Sequence, residues 1–501
     1  MKGLLLSLLL APAASAQLQY ADFHSIRKAA HGRAAAVQSI GKIVSVEYKM
    51  VDGPAAEDPK TPPNLQVSQV NVLFNQIKRI QTHRGEEVTI TEEQAHRLVQ
   101  GLILIDIKFV DPISQERWNP ILDDMAELAA KEFGTKTKDW DVIIDHMLQK
   151  ALLDLKEPHS NYLEPKQVKE LMEQLSGSVP GIGVLMGKVP EGLGVGLVFP
   201  NSGAQEAGLL EGDVIIAVNG SSIKGMDMEK AVELIRGPSG TRVFLRVVRK
   251  GRVLKPDFHV ERREVELPNV LSKMAAPGIG YIYLMEFGQK SGERVLAAAA
   301  ALKKQGAKSM ILDVRGNPGG IVEVVAAISS EFLKDGDDIV SFKHQGQIAK
   351  KAVTVGDGDY CDTPVAVLVD GGSASASEIM AGALQDKRGG YTIIGSRSYG
   401  KGTEQAIIGQ ANDRALKITE NRWYTPEDRN IDAKHTQDTG AEIPGTGGVV
   451  PDLEVNVSDK QAEEILKNIQ LELLGKPVPA PRAEDPVLKK AVEVLSGANA
   501  G

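Results

Sequence analysis

The 501-residue sequence predicts a multidomain α/β protein, α+β overall, with a helical N-terminal region, a β-rich middle module and an α/β core. Three observations carry this reading. Apolar residues recur at three- and four-residue spacing from Thr91 to Leu155, glycine-punctuated β runs fill residues 177–262, and from Gly278 onward apolar strand runs alternate with glycine turns and helices. With 42% apolar residues the chain can bury several cores, and about three domains are expected. The net charge is −8, and lysines and arginines are scattered with no basic stripe, which disfavours a nucleic-acid binder. The single cysteine, Cys361, allows no internal disulfide and reads as a small core residue.

Residues 1–16, MKGLLLSLLLAPAASA, combine Lys2, an apolar run from Leu4 to Leu10 and an Ala14-Ser15-Ala16 site, the pattern of a secretory signal peptide cleaved before Gln17. The run is too short to span a bilayer and no later run is long enough, so an exported, periplasmic or secreted protein is expected. Residues 17–90 form an extension of unknown role, with an exposed Pro-rich stretch at Asp52–Pro63. Residues 91–176 are a helical domain. Its pattern in RLVQGLILIDIKFV and WDVIIDHMLQKALLDL stops at Glu157-Pro-His-Ser-Asn-Tyr-Leu163, where His159, after a helix-ending proline, reads as structural.

Residues 177–262 hold short β runs and one amphipathic helix, Asp227–Ile235. With Gly181-Ile-Gly-Val184 and Glu211-Gly-Asp-Val-Ile-Ile-Ala-Val-Asn-Gly220, this segment resembles a PDZ domain over nearly its whole length. The resemblance makes Gly181, Ile182, Gly183 and Val184 the peptide-binding loop. Backbone N–H groups around Ile182 and Gly183 would form a nest for a C-terminal carboxylate, and the adjacent strand edge would pair with the peptide. Met228, Ala231 and Val232 of the helix are the apolar positions offered to a terminal residue.

The core, residues 263–458, opens with a strand Ser309–Val314, a glycine turn Arg315–Gly320 and a helix Ile321–Leu333. The layout repeats in the strand Pro364–Val369, the turn at Gly371 and Gly372, and the helix Ala376–Gln385. Two such turns on one sheet bring two sets of backbone N–H groups to one edge, a basis for an oxyanion hole. Ser375 stands at a helix N-terminus among unpaired N–H groups. A strand Tyr391–Ile394, a loop Gly395–Gly402 and a strand Thr403–Ile408 follow.

Three chemistries fit these residues. One is a serine nucleophile with a lysine base, Ser375 and Lys401; the second is the Ser-x-x-Lys pattern Ser398-Tyr-Gly-Lys401. The third is a phosphate loop, matched from Gly395 to Lys401 but lacking the hydroxyl that Gly402 replaces. Ser373 and Ser377 read as turn and cap residues, and Asp386, a helix length from Ser375, as structural. No histidine lies near Ser375, no H-E-x-x-H or clustered Cys/His site occurs, and neither a metal nor a cofactor is expected.

Taken together, EPHSNYL, the PDZ-like segment, DVRGNPGG, GSASASEIMAGALQD, YGKGTEQ, WYTPEDR and GGVVPDLEV resemble the carboxyl-terminal processing, or tail-specific, proteases from about residue 91 to the end. The resemblance puts the nucleophile on Ser375, the general base on Lys401, the residue that orients the lysine on Gln405, and the oxyanion hole on the backbone N–H groups of Gly320 and Ala376. It implies a serine endopeptidase with a Ser-Lys dyad that cleaves proteins near or from their C-termini. Its partners would be protein or peptide substrates with free, apolar C-termini, with homo-oligomerisation open. The competing class is a catalytically inactive PDZ scaffold, which the intact Ser375, Lys401 and Gln405 disfavour. The sequence departs from the family at Glu157, where aspartate is usual, and at Glu404, where an apolar residue is expected and a strand would point it away from its neighbours. A third departure is a long segment from Asn430 to Gly447. The tail 459–501, with a helical run, a Pro-rich link and a last helix Val487–Leu495, either packs on the core or mediates assembly.

Overall fold

Five-residue apolar runs without alternation make a parallel sheet covered on both faces. In the computed structural model, which describes residues 47–52, 64–83, 90–133, 135–176, 178–387, 389–433, 443 and 445–498, the strands Ile279–Leu284, Ser309–Asp313 and Val365–Val369 are buried at every position. The leader expected at 1–16, His435 and most of the segment 430–447 lie outside the described residues. The three strands run parallel to each other and to Tyr391–Gly395 and Leu453–Glu454, with Val270–Ala276 antiparallel at the opposite edge. Helices Ser291–Lys304, Val322–Ser330 and Ala376–Lys387 cover one face, where Val295, Val325 and Ile379 pack with Ile282, Leu312 and Val367.

The other face carries Tyr281, Ile311 and Leu368, and the C-terminal tail covers it. Ile465 and Ile469 of Asp459–Leu473, with Val487, Ala491 and Leu495 of Pro486–Ala498, bury against it. Each fully buried isoleucine, valine or leucine side chain there contributes about 1.5–3 kcal/mol. Of the two roles the sequence leaves open to the tail, packing on the core is the one observed.

A second, antiparallel sheet runs in the order Glu47–Asp52, Gln347–Val355, Asp338–His344, Ala415–Tyr424, Thr403–Gly409, with Asn161–Leu163 also on Ala415–Tyr424. One face of its last strands, with Leu416, Ile418, Ala406 and Ile408, packs on the helices Glu92–Lys108, Gln115–Glu132 and Trp140–Asp154. Alternation along a strand therefore turns Gln405, Lys417 and Thr419 to the opposite face. The extension that the sequence left without a role contributes the edge strand Glu47–Asp52 and the helix Val67–His83.

The contacts divide the chain into two compact units: described residues up to Glu170 with Val270–Phe287 and those from Ser291 onward, and Leu171–Asn269 with Gly288–Lys290. The second unit holds a sheet ordered Phe258–Glu261, Arg242–Arg249, Val214–Val218, Gly192–Val198, Val184–Val189, the pair Ser178–Gly181 and Arg263–Glu266, and the helix Met228–Ile235 capped by Asp227. Val184–Val189 stands at the sheet edge.

Candidate active site

The strand Val365–Val369 ends at Asp370, whose Oδ1 accepts the Gly372 N–H at 2.9 Å and, from the neighbouring turn, the Gly316 N–H at 2.8 Å. The chain then climbs to Ser375, which sits at φ +55°. A non-glycine residue in the left-handed region costs on the order of 1–3 kcal/mol and persists only where the surroundings over-determine it. Here they do. The Ser375 carbonyl accepts the N–H groups of Glu378 and Ile379, both at 2.9 Å, starting the helix Ala376–Lys387.

Of the three serines in this turn only Ser375 keeps its hydroxyl free of partners among the described residues. Ser373 Oγ donates to Val314 O at 2.8 Å, and Ser377 Oγ donates to Asn317 O at 2.9 Å. Ser373 also accepts the Asp370 N–H at 3.0 Å, the turn role expected of it, whereas Ser377 ties the two turns together and does not cap a helix.

The fully buried carboxylate of Glu378 joins this turn to the lysine loop. Its Oε2 accepts both the Ser375 N–H at 2.8 Å and the Lys401 N–H at 2.9 Å. Its Oε1 accepts the Gly400 N–H and the Ser398 hydroxyl, each at 2.6 Å. Burial pushes this carboxyl up, and the four donors offset only part of that rise. Glu378 does not stand out in the sequence, although Ser375-Ala-Ser-Glu378 has capping-box spacing. Half of that box forms, the glutamate reaching back to the cap N–H, which leaves the serine hydroxyl unused.

Lys401 is half-buried, and loss of hydration pushes its amine down to about 8, helped by the charge of Lys417 and opposed by the carboxylates of Glu157, Glu378 and Asp432. Its Nζ has no hydrogen-bond partner among the described residues, and neither has Ser375 Oγ. The next residue explains the failed phosphate-loop match: a Cβ at Gly402 would lie 2.6 Å from Asp432 N, and a strand, Thr403–Gly409, follows where a phosphate loop needs a helix. Ser398, the alternative nucleophile, is buried with its hydroxyl committed to Glu378 and accepting the Val449 N–H at 2.6 Å.

Gln405 lies beyond a bulge at Glu404/Gln405. Its Nε2 donates to Thr403 Oγ1 at 2.9 Å and to Thr419 Oγ1 at 3.2 Å. Glu404 turns away from it to the Lys350 amine and the Asn421 amide, each at 2.7 Å. Asp386 is structural, accepting the Glu427 N–H at 2.8 Å and pairing with Arg429.

The turn 315–320 presses against Ser375. A Cβ on Gly319, at φ +104°, would meet Ser375 Cβ at 2.8 Å and Ala376 N at 3.0 Å. The N–H groups of Gly320 and Ala376 have no acceptor among the described residues. In the second unit the N–H groups of Ile182 and Gly183 are likewise unmatched, while the Ile182 carbonyl accepts Ala204 N–H and the Gly183 carbonyl accepts Phe199 N–H. Of the three helix positions offered to a terminal residue, Ala231 is buried in the core, leaving Met228 and the half-buried Val232. Among the described residues no cluster of acidic, histidine or cysteine side chains suits a metal, and no helix is long and apolar enough to cross a membrane.

The profile of peptidase family S41 matches residues 278–455, and that of the PDZ domain matches residues 194–249. The chain is 33% identical over 324 residues to the carboxy-terminal processing protease CtpA of Bacillus subtilis (strain 168), covering 64% of this chain and 69% of that protein. It is 34% identical over 319 residues to the carboxy-terminal-processing protease of Bartonella bacilliformis, covering 62% of this chain and 69% of that one. Among solved structures, a photosystem II D1 C-terminal processing protease aligns with 79% of this chain and 100% of its own, at 25% identity and a TM-score of 0.45. The chain belongs to the carboxy-terminal processing proteases, PDZ-containing serine proteases of peptidase family S41.

Proposed function

We propose that this chain is an exported endopeptidase whose Ser375 and Lys401 form a Ser-Lys dyad, with Gln405 orienting the lysine and the PDZ domain binding the substrate tail. The observation that carries it is the sharing of Glu378 Oε2 by the N–H groups of Ser375 and Lys401, on a strained serine with a free hydroxyl and a lysine lowered to about 8. Neutral Lys401 takes the Ser375 proton as Oγ adds to the scissile carbonyl carbon. The resulting oxyanion sits against the N–H groups of Gly320 and Ala376. The lysine ammonium then gives its proton to the leaving amine as the C–N bond breaks, and water, deprotonated by the same lysine, hydrolyses the ester. Export rests on the leader pattern of residues 1–16. Tail binding rests on the free N–H groups of Ile182 and Gly183 beside an open strand edge.

The test is cleavage of an unfolded protein. Ser375→Ala loses at least about 10⁴-fold in kcat while remaining folded. Lys401→Arg is inactive, because a guanidinium stays charged. The base works deprotonated and its pKa is lowered to about 8, so kcat/KM of the parent rises with pH and levels off above that value. A flat profile from pH 6 to 9, or an active arginine variant, defeats the dyad. For the tail, one substrate is offered with an apolar, a charged and an amidated C-terminus, and equal rates on all three defeat the PDZ role alone.

A further inference from the structure

The sequence marks Glu157 only as a departure from the family's usual aspartate, and the proposed mechanism gives it no work. We propose that Glu157 is a positioning residue of the catalytic centre: acting through Thr419, it fixes which end of the Gln405 amide is left for Lys401. The inference rests on the proposed Ser375–Lys401–Gln405 reading.

The oxygen and nitrogen ends of a glutamine amide have nearly the same shape, and only the partners decide which faces where. A carboxylate can only accept. Glu157 Oε2 accepts hydrogen bonds from the Ser160 hydroxyl at 2.5 Å and from the Thr419 hydroxyl at 2.8 Å. Thr419 has one proton, now spent, so its Oγ1 can only accept from Gln405, and Nε2 donates to it at 3.2 Å. The second amide proton goes to Thr403 Oγ1 at 2.9 Å. With both amide N–H groups used, Oε1 is the one remaining polar atom of the Gln405 side chain and has no partner among the described residues. An acceptor is what an ammonium, or an amine N–H, requires.

The fold explains why Glu157 can reach this strand. The helix Trp140–Asp154 ends in a turn with Lys156 at φ +55°, and the strand Asn161–Leu163 pairs with residues 415–417. The Tyr162 N–H bonds Gln149 Oε1 at 2.8 Å, and the Thr419 N–H bonds Ser160 Oγ at 3.0 Å, so residues 157–160 are pinned beside Thr419. The other Glu157 oxygen accepts the His159 N–H at 3.1 Å.

The carboxylate also acts on the base through space. The charges bearing on Lys401 are Lys417, which lowers its pKa, and Glu157, Glu378 and Asp432, which raise it. Removing the Glu157 charge therefore frees the amine at lower pH, whereas breaking the relay at Thr419 leaves that charge in place.

The test compares Glu157→Gln, Glu157→Asp and Thr419→Val with the parent and with Lys401→Arg, in the full chain, on one unfolded protein. Active sites are counted by a serine-acylating reagent. Both Glu157→Gln and Thr419→Val lower kcat per titrated site by up to about 100-fold with KM nearly unchanged. The acid limb of the pH profile moves to lower pH in Glu157→Gln and stays in Thr419→Val, and Glu157→Asp recovers part of kcat. Parent-like kcat per titrated site in folded Glu157→Gln and Thr419→Val overturns the inference. So does an activity loss that only follows loss of folded protein. If Glu157→Gln does not fold, kcat of Thr419→Val per titrated site decides. An active Lys401→Arg would instead bring down the dyad reading, whereas an inactive one beside parent-like relay variants brings down this inference alone.

Discussion

Two strand–turn–helix units lie side by side in the core sheet, Ser309–Asp313 leading to Val322–Ser330 and Val365–Val369 leading to Ala376–Lys387, with their strands paired in parallel. In the first, the left-handed positions next to the site are glycines, Gly319 and Gly320; in the second the left-handed residue is Ser375. The first turn is held from behind, by Arg315 on Asp313 and Asp485 and by Asn317 Nδ2 on Leu284 O. Polar contacts between the turns run largely one way, since Ser373 and Ser377 donate into carbonyls of the first turn and the Ala374 N–H bonds Asn317 O at 3.0 Å. The first turn is thus a mould that needs shape, and on the proposed dyad reading the second supplies the side-chain chemistry. Missing Cβ atoms in one and a strained serine in the other serve the same close approach.

Substituting Glu378 with glutamine breaks the second unit and leaves the first intact. Four donors converge on the carboxylate, so an NH₂ in place of either oxygen faces two donors with a third. At this fully buried position the cost is on the order of 3 kcal/mol of stability, read as a lower thermal midpoint. Activity per folded molecule falls at least about 100-fold, because the turn bearing Ser375 and the loop bearing Lys401 lose their common anchor. A folded Glu378→Gln enzyme with parent-like kcat would mean that the two loops hold their positions without the carboxylate.

Gly319→Ala breaks the first unit and changes no residue of the second. Its φ of +104° disfavours any Cβ, and that atom would lie 2.8 Å from Ser375 Cβ and 3.0 Å from Ala376 N. Crowding of one proposed oxyanion donor lowers kcat by roughly 100-fold or more, with KM little affected. Stability falls by about 1–3 kcal/mol. A loss confined to KM would place the glycine in substrate binding and not at the oxyanion.

Much of this comparison was legible in the sequence, and the reasons are physical. Unbroken apolar runs such as Val365–Val369 announce strands buried on both faces, and glycine pairs after them announce turns. Ser375, Lys401 and Gln405 stand in motifs that the family resemblance identifies. Glu378 stayed hidden because a glutamate in the first turn of a helix is usual, and nothing local says that Gly400 and Lys401 will fold back onto it. Glu157 stayed hidden because its partner Thr419 lies 262 positions away. The tail was undecided because amphipathic helices such as Asp459–Leu473 suit a sheet face or a partner equally well.

The smallest expected effect sharpens the comparison inside the second unit. Ser398 reads as a nucleophile by pattern and as a clamp residue by geometry, donating to Glu378 Oε1 and accepting from Val449 N–H at 2.6 Å each. Ser398→Ala removes one of the four donors to Glu378 and leaves the buried Val449 N–H without its acceptor, which costs about 1–3 kcal/mol. The Ser375 and Lys401 N–H groups keep their shared oxygen, Oε2, and the Ser375 hydroxyl is untouched. The thermal midpoint therefore drops by several degrees, while kcat per titrated active site changes by less than about tenfold. An acylating reagent still labels Ser375 in this variant and labels nothing in Ser375→Ala. If Ser398→Ala, correctly folded, is as inactive and as unlabelled as Ser375→Ala, the nucleophile is Ser398, and the strained serine at φ +55° would be the residue that only shapes the turn.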